Sequence, residues 1–199
     1  MGSAHWGEQT QMVDRRQSRS RHIYFKDRGF LMAEYHASIT DEQAALIWSV
    51  PLFFVASVDP ILAKGPNDVG PVNLSPKGGV KLHILDPRHV AYLDYPGSGN
   101  ETARHALAGG PITIMVCSFE AENAAIVRLF GKAHIAPLAD SPLAELLAQQ
   151  ATSELKAPRQ VIEIEIEQTM TSCGYGVPVM TLLRERRASD RGRKYKDAR

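Results

Sequence analysis

Hydrophobic residues in this chain fall mainly into short runs typical of β-strands. Leu52 to Val58 is a continuous apolar, aromatic and β-branched run, as expected for a strand buried on both faces or nearly so. Between residues 161 and 167 isoleucine alternates with glutamate, which predicts a strand with one face in the core and one in solvent. Turns rich in proline and glycine separate five further strand candidates, at 71–74, 81–85, 90–94, 112–119 and 126–135.

Capping signals mark three predicted helices, at 41–50, 101–108 and 142–150. Thr40 and Gln43 have the spacing of a capping box at the start of the first helix. Gly109 follows the second, and Ser141 is positioned as the N-cap of the third. Six or seven strands with so few helices favour a mainly β fold, an antiparallel barrel, over a βαβ sheet. The segment 59–70 is predicted to be a loop that either overhangs a site or is an insertion.

Charge divides the chain into a core and two basic ends. The 199 residues, 44% of them hydrophobic, suffice for one globular domain. Residues 184–199 carry 8 basic and 3 acidic side chains, and residues 1–30 carry 6 and 3. We therefore predict an N-terminal extension over 1–33, one domain over 34–183 and a basic tail over 184–199. A solvated chain end explains the tail better than contact with nucleic acid or a membrane.

Several other classes of protein lack support in the sequence. Cys117 and Cys173 are the two cysteines, too few for a disulfide framework or a zinc quartet. The seven histidines show no H-x-x-x-H or H-E-x-x-H spacing, so we predict no metal site. No secretory signal is visible, and no apolar run approaches the roughly 20 residues that span a bilayer. We expect a cytoplasmic protein.

A glycine-rich turn is the best candidate for a ligand site. Residues 92–105 read YLDYPGSGNETARH: an apolar strand, a turn with Gly97 and Gly99, and a helix with Asn100 as its N-cap. Glycine adopts positive φ readily, and the first helical turn offers unpaired N–H groups to a phosphate. Neither a Walker lysine nor a G-x-G-x-x-G pattern is present, so a plain strand–turn–helix connection remains an alternative.

Further motifs surround this turn. They are VNLSPKG at 72–78, ITIMVCSF at 112–119, VRLFGKA at 127–133 and TSCGYGVP at 171–178. In this order and spacing, the chain resembles from residue 34 to 180 the pyridoxamine 5′-phosphate oxidase-like proteins, the FMN-binding split-barrel family, and in particular a bacterial subgroup with NLSPKG, GSGNET and SCGYGVP motifs. The resemblance implies a six-stranded antiparallel split β-barrel with peripheral helices. It also implies a homodimer with FMN at the subunit interface and FMN-dependent oxidation or reduction of a small molecule.

The resemblance also assigns cofactor-binding positions, although it identifies no catalytic residue. In family members the strand equivalent to 73–75 lies along the flavin ring, and the strand at 92–94 leads to the phosphate turn. Lys77 or Arg104 would supply the counter-charge to a phosphate held at 98–102. The predicted cofactor-binding residues are Asn73, Leu74, Ser75, Lys77, Tyr92, Leu93, Asp94, Ser98, Gly99, Asn100, Glu101, Thr102 and Arg104.

One departure from the family leaves the ligand open. The founding oxidase has an arginine and a lysine in its phosphate turn, where this chain has Asn100 and Glu101. A carboxylate repels a phosphate, although it also stabilises the first turn of a helix. Either backbone amides hold the phosphate or the ligand differs, and pyridoxamine phosphate is not the expected substrate. The alternative function is non-enzymatic binding or storage of flavin or haem on the same fold. Cys173 and Tyr175 are interpreted as residues that shape the pocket wall.

Overall fold

The computed structural model describes residues 21–22, 33–68, 70–97, 99–148 and 158–186, and these are mainly β. The strands are β1 Arg21–His22, β2 Ala33–His36, β3 Leu52–Val58, β4 Val72–Gly78, β5 His83–Asp86, β6 His89–Asp94, β7 Pro111–Cys117, β8 Ala125–Ala136 and β9 Gln160–Cys173. The helices are α1 Asp41–Ser49, α2 Glu101–Leu107 and α3 Leu143–Ala148, and short 3₁₀ turns lie at Pro66–Asp68 and Leu138–Asp140. None of the helices described is long and apolar enough to cross a membrane.

All strand pairs are antiparallel, and the sheet is open at one place. The strand order is β1-β2-β9-β8-β7-β3-β4, with β6 paired to the first part of β9 and β5 paired to β6. Within the described ranges β4 pairs with β3 alone and β5 with β6 alone, which leaves a split between β4 and β5. The mainly β split-barrel fold is therefore confirmed. The described residues form nine strands where six were expected. Two of the additional strands are β2, which pairs with β9, and β1, which pairs with β2.

The barrel interior is apolar, and strand β3 shows how it is built. Phe53, Val55 and Ser57 are buried, whereas the alternate residues of β3 are only half-buried. The sequence predicted burial on both faces or nearly so, and the structure buries one face of the strand fully and the other in part. The continuous apolar run reflects a second face that points away from the core. The centre of the core includes Ile114 of β7 and Ile164 of β9, both fully buried.

Helix α1 begins as its capping signal predicts. The Gln43 amide donates to Thr40 Oγ1 at 3.3 Å, and the Thr40 amide donates to Gln43 Oε1 at 3.2 Å. Both bonds of the capping box are therefore present, and the prediction is confirmed. The Gln43 side chain is buried, and it also donates to Thr171 Oγ1 at 3.0 Å. The capping residue Gln43 thus also connects α1 to β9 by a hydrogen bond.

Two strands run further than the sequence suggests. The Pro-Lys-Gly-Gly segment is not a turn, because β4 continues through Pro76 to Gly78 before Gly79 adopts a φ of 69°. Proline is tolerated on an edge strand, and β4 pairs with only one strand among the described residues. Strand β9 likewise continues beyond the predicted residues 161–167 to Cys173, its exposed last residue. Tyr175, 93% exposed, follows it in solvent.

Candidate functional site

Three of the segments singled out in the sequence meet at the split. Asn73 of β4 donates through Nδ2 to Thr102 Oγ1 of α2 at 3.0 Å. Lys77 Nζ lies 3.7 Å from Asp94 Oδ1 at the end of β6 and 5.6 Å from the centre of the Tyr92 ring. The edge strand, the end of β6 and the start of α2 are therefore in contact, although these residues are distant in sequence, and this junction is called the cleft below.

The alternation of side chains along β4 separates the predicted residues into two sets. Asn73, Ser75 and Lys77 are half-buried and share the face that meets α2 and β6. Leu74 lies on the opposite face and is 68% exposed. Leu93 of β6 is buried in a small apolar cluster with Leu143 and Val161. Polar side chains thus line the cleft, while the leucines point elsewhere.

Asp94 is the centre of a hydrogen-bond network that the sequence did not reveal. Arg159 donates to Asp94 Oδ2 from Nη2 at 2.7 Å and from Nε at 3.2 Å, and Gln160 Nε2 donates to the same oxygen at 2.9 Å. Arg159 also donates to the Gly99 carbonyl at 3.2 Å. These residues stand at the start of β9, where Gln160 pairs with Asp94 across the strands. A prediction that β6 pairs with β9 would have placed Arg159 and Gln160 next to Asp94.

Asn100 precedes α2, but its side chain does not cap the helix. Its Oδ1 accepts from Gln160 Nε2 at 2.9 Å, and no side-chain capping bond is present. The expected N-cap bond is therefore wrong, because the carboxamide of Gln160 uses the oxygen that would have capped the helix. The result is a turn joined to β9 by two side chains, Arg159 and Gln160.

The glycine turn differs in detail from the expectation. Gly70, Gly79 and Gly109 have positive φ, but Gly97 does not. At Gly99 the position of an added Cβ is occupied by the Glu101 carboxylate, the end of a flexible side chain. Glu101 therefore lies back over the turn instead of pointing outward, which places a negative charge where the sequence suggested a phosphate. Ser98 lies outside the described residues.

Arg104 is bonded to the loop at 59–70. Its Nη2 donates to the Gly70 carbonyl at 2.7 Å, and its Nη1 lies 3.9 Å from Asp59 Oδ2. The fully buried His105 contacts the same carbonyl through Nε2 at 2.6 Å and Ser57 Oγ through Nδ1 at 2.9 Å. Because a carbonyl only accepts, Nε2 carries the proton and Nδ1 accepts from the serine hydroxyl. The loop therefore packs on α2, and the Arg104 guanidinium faces the loop.

Two hydroxyl groups beside the cleft are buried and lack hydrogen-bond partners among the described residues. They are Ser75 Oγ on β4 and Tyr92 Oη on β6. Tyr92 is fully buried in the barrel core. Burial, followed by the charge of Asp94, raises the pKa of Tyr92 above its ordinary range, so the phenol stays protonated and can donate. A buried polar group without a partner costs roughly 1–3 kcal/mol, so these two hydroxyls mark unused hydrogen-bonding capacity next to the cleft.

The described residues contain no metal cluster, and their buried cysteine is not activated. In the ranges that the structure covers, no group of three histidine, cysteine or acidic side chains could hold a metal ion. Cys117 is buried, and burial raises the pKa of its thiol despite the opposing effect of Arg128.

Comparison with known proteins agrees with this architecture. The chain is 34% identical to pyridoxamine 5′-phosphate oxidase family protein ustO of Aspergillus flavus over 153 residues, which are 76% of this chain and 58% of that protein. It therefore spans less than two thirds of this relative's length. A structure of HupZ from Group A Streptococcus is 23% identical with a TM-score of 0.50, and the match covers 67% of this chain and 98% of HupZ. No protein-family model matches the chain.

The likeness to HupZ concerns the fold, since it lies at 23% identity. Together with the split between β4 and β5, it defines a split-barrel protein. The likeness in sequence is more specific. In sequence, the chain is similar to a pyridoxamine 5′-phosphate oxidase family protein. The bacterial subgroup and the cofactor-binding roles of the named residues stay predictions.

Proposed function

We propose that this protein is a flavoprotein that binds FMN at the split of the barrel and uses it to oxidise or reduce a small molecule. The observation that carries the proposal is the convergence of β4, β6 and α2 on a cleft beside two unpartnered buried hydroxyls, Ser75 Oγ and Tyr92 Oη. A flavin offers ring carbonyls, ring nitrogens and ribityl hydroxyls to such groups. The family name of the fungal relative supports the same class of cofactor.

Lys77 is the cation best placed for the phosphate of FMN. Asp94 already accepts three short bonds from Arg159 and Gln160, whereas Lys77 Nζ lies at 3.7 Å, beyond hydrogen-bond range. Its ammonium group therefore remains able to donate to a phosphate. The Glu101 carboxylate, which lies over Gly99, opposes a phosphate at the turn. When bound, the flavin supplies the redox chemistry, and these residues hold and orient it.

The absorbance spectrum of the purified protein tests the class of ligand. We expect flavin bands near about 370 and 450 nm, which belong to the cofactor itself. A haem band near about 400 nm, without the flavin pair, would support the alternative binding function instead. Protein without bound chromophore is titrated with FMN, and a failure to bind at tens of micromolar would contradict the proposal.

We also propose a homodimer that covers the cofactor. Four large apolar side chains of β4 and the neighbouring loop are more than 60% exposed: Ile61, Leu62, Val72 and Leu74. An exposed apolar edge strand is normally covered by another element or chain. We expect sedimentation at micromolar concentration to give a dimer of the 21.9 kDa chain. Replacing Leu74 with lysine should shift it towards monomer, and Lys64→Glu serves as the exposed control. A parent protein that sediments as a monomer would remove the proposed interface.

A further inference from the structure

An arginine lies in the middle of an apolar row on the outer face of the sheet. Residues directly opposite one another in antiparallel strands project to the same side. The pairing registers of β4, β3, β7, β8 and β9 therefore place five side chains in one row: Pro76, Phe54, Met115, Arg128 and Met170. Apart from Arg128, these five positions hold only apolar groups, two of them flexible methionines, and Tyr35 of β2 continues the row beyond Met170.

This face is separate from the barrel interior. Val127 and Leu129, on either side of Arg128 in β8, are each 1% exposed and belong to the core. By contrast Phe54, Met115 and Met170 are half-buried and belong to neither of the two apolar clusters. It is also separate from the cleft at the split, because the cleft residues of β4 alternate with Pro76. The row is thus a second surface.

The charge of Arg128 is not neutralised by any carboxylate in the described part of the chain. Its Nη1 donates to Ser172 Oγ at 3.2 Å, and no ion pair involves it. A guanidinium carries five N–H donors and does not lose its proton in proteins. The bond to Ser172 orients the group, but most of its donors are left for a ligand. Ser172 lies in the TSCGYGVP motif, which the cleft does not use.

We propose that Arg128 binds an oxyanion group, a carboxylate or a phosphate, of a small molecule whose apolar part lies on Phe54, Met115 and Met170. A planar guanidinium matches two oxygens of such a group, and the surrounding apolar side chains strengthen the interaction by excluding water. This site goes beyond the proposed flavin function and does not depend on it. A second copy of the chain over this face would enclose the ligand.

Calorimetric titration of the purified full chain tests this proposal with three aromatic probes. Benzoate and phenyl phosphate carry the oxyanion, and benzyl alcohol of similar size does not. We expect the parent to bind at least one oxyanion about tenfold or more tightly than the alcohol. Arg128→Met should abolish this preference, and Arg128→Lys should weaken it. Lys132→Met removes a different cation from β8 and should leave binding unchanged.

Two results would overturn the proposal: equal affinity of the parent for all three probes, or an oxyanion preference that survives in Arg128→Met. Sedimentation and circular dichroism establish whether each variant is folded. If Arg128→Met is not folded, the comparison of parent, Arg128→Lys and Ser172→Ala decides, and unchanged affinity in both variants contradicts the proposal. Flavin content is recorded separately by absorbance. Oxyanion binding that requires Arg128 in flavin-free protein supports this site even if the flavin function fails.

Discussion

Replacing Asp94 with alanine is expected to lower the free energy of unfolding by about 2–3 kcal/mol. The carboxylate is buried and accepts from Arg159 and Gln160, and these two residues in turn hold the turn at Gly99 and Asn100. Without it, the Arg159 charge and the Gln160 amide lose their shared acceptor. The loss stays below the full cost of a broken buried pair, because the Arg159 side chain is 29% exposed and regains some water.

Urea denaturation of the parent and variants measures this effect. Asp94→Asn keeps one acceptor oxygen and removes the charge, so we expect an intermediate loss. Lys64→Ala is the control: its ion pair with Asp68 lies in solvent, and its removal should change stability by about 0.5 kcal/mol or less. An Asp94→Ala protein as stable as the Lys64→Ala control would mean that the network does not hold the turn.

The second prediction concerns the phosphate of the cofactor: the protein is expected to bind FMN about 100-fold more tightly than riboflavin. That factor corresponds to about 2.7 kcal/mol, which one or two charge-assisted hydrogen bonds can supply. Lys77→Met should reduce the preference for FMN about tenfold. Lys77 is the cation at the cleft that makes no short hydrogen bond to Asp94. Glu101→Gln should tighten FMN binding a few-fold and leave riboflavin unchanged, because it removes a carboxylate from beside Gly99.

Quenching of flavin fluorescence gives both affinities for each protein. Lys81→Met controls for loss of a lysine four residues further on, and Glu122→Gln controls for loss of an exposed carboxylate. Neither should alter the preference. Equal affinity of the parent for FMN and riboflavin would show that the cleft does not hold the phosphate. In that case the flavin proposal would depend on the unpartnered hydroxyls and the family alone.

Local patterns were sufficient to locate most elements of this fold. The alternation of isoleucine and glutamate places β9, and the spacing of Thr40 and Gln43 sets the start of α1, because both signals act over a few neighbouring residues. Local patterns did not locate the ends of the strands. At Pro76 the local preference for a turn was overruled by pairing with Phe54, which only the position of β4 at the sheet edge makes possible.

The candidate site was predictable only in part. The Asn73 and Thr102 regions and the segment from Tyr92 to Asp94 were identified from motifs, and the structure brings them together. Arg159 escaped notice because its partner Asp94 lies 65 residues earlier in the chain. Asn100 was assigned a capping role that its own sequence supports, but Gln160, 60 residues away, uses the same oxygen. Sequence patterns do not show such competition between distant partners.

The sequence by itself determined that this chain forms a mainly β barrel with a capped first helix, that it resembles pyridoxamine 5′-phosphate oxidase-like proteins, and which segments meet at the cleft. The tertiary structure alone decided which face of β4 meets the cleft, that Arg159 and not Lys77 makes the short bonds to Asp94, and that Arg128 stands in a half-buried row of mainly apolar residues. The physical reason is the period of two along a strand. It shows that neighbouring side chains point to opposite sides, but only the register between strands determines what each side meets.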